Sequence, residues 1–315
     1  MKRIGPVKRI ILCTLFAVLL AVPSQGAEKT IRFASVSWTG VTIKTELAAH
    51  ILKTLGYKTS NVMVSVPIVY NALATNEADI FLGNWMPSMQ SIAGPYFEKG
   101  TVVKSVANMP GAKYTLAVPT YVYEAGVKNF ADIARHADKL EHKIYGIEEG
   151  NDGNEVIQAM IDKDMFDLKG FTRVSSSEQG MLSQVRSFGR TKRWIVFLGW
   201  SPHYMNEIID MKYLSGSTAE TFGDNDGTAT VYTNIRRGFD AEQPNVAQFL
   251  NNLTFPVAMI NQIMGTMHKD TNLRPKQAGL AWLRQHPEVY ERWLEGVKTA
   301  DGKPALPVFA ASMRQ

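Results

Sequence analysis

The sequence predicts an α/β fold built as two lobes around a shared cleft. Three observations carry that reading. Strand-like and helix-like segments alternate along most of the 315-residue chain, the pattern of parallel strands covered by helices. Two strand-like runs, "FLGNW" at 81–85 and "FLGW" at 197–200, end alike although their tryptophans lie about 115 residues apart. In both, and again in "SVSW" at 35–38, a tryptophan stands at a strand exit, where open α/β sheets bind their ligands.

The elements follow in order. "TIRFASVSW" reads as a strand ending at Trp38. "VTIKTELAAHILKTLGY" sets Ile43, Leu47, Ile51 and Leu52 at helical spacing and stops at Gly56. "VMVSVPI" reads as a strand, followed by a short helix through Tyr70 and Leu73. "ADIFLG" is a buried strand ending at Gly83, and "YTLAVPT", "HKIYGIE" and "RWIVFLGW" are three more, with helical segments between them. The C-terminal third, with "NVAQFLNNLTF" and "PKQAGLAWLRQHPEVYERWLEGV", is helical. "GDNDG" (223–227) lacks the glutamate a calcium loop needs at its fixed offset, and reads as a turn.

The N-terminus has another character. Lys2, Arg3, Lys8 and Arg9 precede an apolar stretch from Ile10 to Val22, then Pro23 and the small-residue site Ser24-Gln25-Gly26. This is the layout of a secretory signal peptide over 1–26. The only cysteine, Cys13, falls inside it, so the mature chain would have no thiol, disulfide or cysteine metal site. Taking those four basic residues from the 34 in the chain leaves 30 against 29 acidic ones. A near-neutral balance gives no ground for nucleic acid as a partner. The expected location is the periplasm.

The sequence has no G-x-S-x-G, H-E-x-x-H, G-x-x-x-x-G-K or C-x-x-C, and its six histidines show no metal spacing, so neither a metal nor a cofactor is expected. His203, three residues after Trp200, reads as a structural hydrogen-bonding group. A secreted hydrolase of choline or carnitine esters is the alternative class, and a sensor's binding domain is a third.

A tryptophan is usually a large core residue, which suits Trp194, Trp282 and Trp293. Trp38, Trp85 and Trp200 suit it less, because loops at a sheet's top edge are seldom core. Aromatic faces converging on one point fit a quaternary ammonium. Such a cation has no N–H to donate, yet each face attracts it by about 0.5–2 kcal/mol once water is excluded.

The stretches "SWTG" (37–40), "FLGNWMPSM" (81–89), "GAKYTLAVPTY" (111–121), "KIYGIEEGNDGN" (143–154) and "WIVFLGWSPH" (194–203) then carry a resemblance. The mature chain resembles the periplasmic substrate-binding proteins of ABC importers for choline and related betaines. The resemblance implies a two-lobed binding-protein fold of type II, with a double crossover. Lobe one would be 27–111 and 214–315, with 112–213 inserted as lobe two. It implies an aromatic box of Trp38, Trp85, Tyr114 and Trp200, with Asn151 on the ligand's hydroxyl. From the residues alone, Asn151 or Asp152 reads equally well as a helix cap. It also implies a monomer that hands its ligand to an ABC permease and ATPase.

One position departs. Choline-binding members carry an Asp two residues after the first box tryptophan, where this chain has Gly40. Losing that carboxylate suits a longer, anionic ligand such as carnitine, with choline and glycine betaine as alternatives. Gly40 would offer room and a backbone N–H at a helix start, and Thr39 and Thr42 hydroxyl donors.

Overall fold

The computed structural model describes Met1 and residues 30–314; apart from Met1, the expected signal peptide lies outside the described residues. The strands are β1 (Ile31–Ser35), β2 (Thr59–Met63), β3 (Ile80–Met86), β4 (Val102–Pro119), β5 (Lys143–Tyr145), β6 (Thr172–Val174), β7 (Val196–Ser201), β8 (Met211–Tyr213) and β9 (Thr228–Arg236). They form one sheet in the order β2-β1-β3-β9-β4-β7-β5-β6, with β8 beside β4.

The sheet is mixed, not parallel throughout as the alternation suggested. β1 pairs in parallel with β2 and β3 at one end, and β5 with β6 and β7 at the other. Between them, β9 and β4 run antiparallel to each other and to their outer neighbours. Each end thus keeps its strand–helix–strand units, and the two long central strands join the ends. Sequence reading missed β9 and the first half of β4. Pro110, inside β4, sits exposed where the β4–β9 register shifts.

Helix α1 (Thr39–Thr54) follows β1 and buries Val41, Ile43, Leu47, Ala48, Ile51 and Leu52, the stripe its spacing foretold. The expected strand "VMVSVPI" stops at Met63, because Pro67 starts helix α2 (Val66–Ala74). Helix α3 (Gln90–Glu98) follows β3. "GDNDG" is a single tight turn, with Asn225 and Asp226 left-handed at φ 62° and 54°.

The repeated Phe-Leu-Gly now has a cause. A Cβ on Gly83 would lie 2.8 Å from the Phe81 ring and from Val41, and one on Gly199 2.8 Å from the Ala117 Cβ. Glycine lets neighbours cross those backbones closely. The strands do not stop there: β3 runs on through Trp85 and β7 through Trp200. Both tryptophans are therefore late strand residues, while Trp38 is the residue before α1.

Candidate functional site

The strand exits meet at one small cavity. Trp38, Gly40, Trp85, Tyr114, Asn151 and Trp200 all line it. Thr39, also expected at the site, does not. Sequence reading missed Val41, Lys44, Met109, Ile147, Pro202 and Met264.

The rings are held at angles to one another. Trp85 meets Tyr114 at 5.8 Å between centroids and 60°, and Tyr114 meets Trp200 at 6.1 Å and 87°. Strand pairing sets this: Tyr114 on β4 lies opposite Trp200 on β7. All four aromatics are buried. Burial, with Asp152 adding to it, pushes the Tyr114 phenol well above its ordinary range. It therefore keeps its proton and donates to Asn151 Oδ1 at 3.2 Å.

Asn151 also caps the helix Asp152–Asp162, accepting the Asn154 N–H at 3.0 Å. The cap reading thus holds, and the amide lines the cavity as well. The next residue, Asp152, is fully buried; burial raises its carboxyl to about 7, although the Ser88 hydroxyl opposes this by donating to Oδ2 at 2.5 Å.

Thr39 is occupied elsewhere. Its hydroxyl donates to Glu178 Oε1 at 2.5 Å and its N–H to Oε2 at 3.2 Å. A carboxylate from across the cavity thereby takes the first turn of α1, where the helix dipole favours an anion. Thr42 is no free donor either, since its hydroxyl goes to the Trp38 carbonyl at 3.0 Å. The room expected above Gly40 is partly filled, because a Cβ there would lie 3.0 Å from the Met264 methyl. His203 has the structural role expected of it: Nδ1 accepts the Met205 N–H, so Nε2 carries the proton offered to Glu178 at 3.1 Å.

Three carboxylates thus stand just behind the wall: Glu178, Asp152, and Glu148, which accepts the Trp38 indole N–H at 2.5 Å. Among the described residues, none of those lining the cavity is acidic. Such a wall can hold a cation by ring faces.

Residues 29–285 match the model of the OpuAC family, the substrate binding domain of ABC-type glycine betaine transport systems. The chain belongs to this family. It is 48% identical to an ABC-transporter choline binding protein in complex with choline, over 90% of this chain and 98% of that one, with a TM-score of 0.87. The same relation to an unliganded, semi-closed choline binding protein gives 48% identity over 91% and 99%, with a TM-score of 0.82. The glycine betaine/carnitine transport binding protein GbuC of Listeria monocytogenes is 25% identical over 165 residues, 52% of this chain and 53% of GbuC. The fold is that of the two-lobed periplasmic binding proteins. Among the described residues, no helix is long and apolar enough to cross a membrane.

Proposed function

We propose that this OpuAC-family chain captures a trimethylammonium compound between Trp38, Trp85, Tyr114 and Trp200. It then hands the ligand, as a periplasmic monomer freed of residues 1–26, to an ABC permease and ATPase. The observation that carries this reading is the convergence of the four rings on a cavity whose described lining has no acidic group. Four faces at about 0.5–2 kcal/mol each contribute about 2–8 kcal/mol, and burial of the ligand's methyl groups adds to this toward micromolar capture, about 8 kcal/mol. The ligand is held and released, not transformed.

Lobes at 27–111 with 214–315, and at 112–213, would place Trp38, Thr39 and Ser88 on one side and Glu148, Glu178 and Asp152 on the other. Their hydrogen bonds then join the lobes only when these close.

Carnitine is the proposed ligand, because Gly40 takes no carboxylate to the cavity. Choline is the second reading, favoured by the 48% identical protein seen in complex with choline. Calorimetry of residues 27–315 with carnitine, choline and glycine betaine tests the proposal. Micromolar binding of at least one is expected, and binding of none would overturn it.

A further inference from the structure

Lys44 has no part in an aromatic box, yet it lines the same cavity. It lies four residues after Gly40 on α1, hence on the same helix face. It is 1% exposed. Its ammonium donates one hydrogen bond, to Asn108 Oδ1 at 2.9 Å, and the Phe255 ring centroid lies 5.8 Å away. The Asn108 amide is fixed by its other end, since Nδ2 donates to the Leu82 carbonyl and to Thr233 Oγ1. Among the described residues, two of the three ammonium N–H groups therefore have no acceptor. A buried ammonium facing one neutral oxygen is costly. An ion or group of opposite charge inside the cavity would remove that cost.

We propose that Lys44 receives the carboxylate of a zwitterionic ligand, so that the site selects trimethylammonium carboxylates over plain trimethylammonium cations. This rests on the aromatic-box reading and adds the group for the ligand's other end. Gly40 and Lys44 act together: the first brings no competing carboxylate, the second supplies the charge. The ligand carboxylate, ionised well above pH 4, accepts the two unused N–H groups. A plain cation meets a like charge there instead. Burial lowers Lys44 to about 7, so the free protein is partly protonated near neutral pH and zwitterion binding draws in a proton.

Lys44→Met keeps most of the stem's volume and removes the charge. Calorimetry compares tetramethylammonium, choline, glycine betaine and carnitine. The expected result is at least a tenfold loss for carnitine or glycine betaine, with tetramethylammonium and choline unchanged or tighter. Retained tetramethylammonium binding also shows an intact box. An unchanged ratio of zwitterion to tetramethylammonium affinity overturns the role of Lys44. If the parent binds none of the four ligands, the box reading fails instead.

The parent protein gives a second measurement that needs no variant. The carnitine-to-tetramethylammonium affinity ratio should fall at least tenfold from pH 6 to pH 9 as Lys44 loses its proton. The other titratable groups around the cavity are Tyr114, which stays protonated, and Asp152, Glu148 and Glu178 behind its wall. Asp152 is the other group that titrates near neutral pH, so the measurement is repeated in Asp152→Asn, where the fall in the ratio should persist. A flat ratio overturns the proposal even should Lys44→Met fail to fold.

Discussion

Replacing Thr39 with valine separates two roles for that residue. Valine keeps the branched shape and the backbone N–H, which still reaches Glu178 Oε2 at 3.2 Å. Only the hydroxyl is lost, with its 2.5 Å bond to Glu178 Oε1. That carboxylate is ionised: burial pushes its pKa up, but hydrogen bonds from His203 and Thr39 outweigh this and hold it low. A hydrogen bond to a charged group contributes about 1.5–3 kcal/mol. In the open protein water serves both groups, so the loss falls on closure. If ligand binds only with closure, affinity should drop roughly 10- to 100-fold, and by the same factor for every ligand. Calorimetry with choline, carnitine and tetramethylammonium reads this directly. Unchanged affinities would refute the latch. A loss confined to hydroxylated ligands would do so too, because Thr39 would then be touching the ligand, as its sequence position first suggested.

Other outcomes are expected. Trp85→Ala or Trp200→Ala should weaken every trimethylammonium ligand by about 1–3 kcal/mol with near-parental circular dichroism, since one face and its exclusion of water are lost. Gly40→Asp should lower the carnitine-to-choline affinity ratio at least tenfold, about 1.4 kcal/mol; the Met264 methyl, at the end of a flexible side chain, has to shift for the new Cβ. Asp152, raised to about 7 by burial, should make the closed, liganded protein less stable as pH rises from about 4 to about 7. The sign follows because the folded form keeps its proton there while the unfolded form has lost it. Thermal melts across that range should flatten in Asp152→Asn.

What was legible in the sequence depended on how locally it was encoded. Apolar runs closed by Phe-Leu-Gly and a tryptophan marked the C-terminal parts of β3 and β7, though β3 runs on past Gly83 to Met86, and α/β sheets bind ligands at such ends. Trp85 and Trp200 were found that way. The parallel arrangement was misjudged because β9 joins the sheet far from its sequence neighbours. Its buried Ala229, Val231, Thr233 and Ile235 do alternate, but the threonines and Asn234 hid the signal. Thr39 was misplaced because its partner Glu178 lies 139 residues away. Lys44 did leave a trace: a lysine inside the stripe of Ile43, Leu47 and Ile51 is out of pattern for a solvated charge. Met109 and Met264 left none, since methionine on a buried face is ordinary packing.

The placement of charge ties these residues into one design. Each carboxylate behind the wall is bound to a box residue or its neighbour: Glu148 to the Trp38 indole, Glu178 to Thr39, and Asp152 to Ser88 and Asn151. None reaches the cavity, so none can replace water on a cation by direct contact. Glu178, held ionised, acts at a distance, where low dielectric keeps the attraction appreciable. The Trp38 N–H, by donating to Glu148, leaves its ring richer in electron density and a better face for a cation. Lys44 has no such carboxylate beside it; its one hydrogen bond is to the Asn108 amide oxygen. Ionised Glu178 thus puts negative charge behind the aromatic wall while positive charge lies at the cavity surface on α1. A ligand with both charges satisfies this arrangement, whereas a simple cation satisfies only half of it.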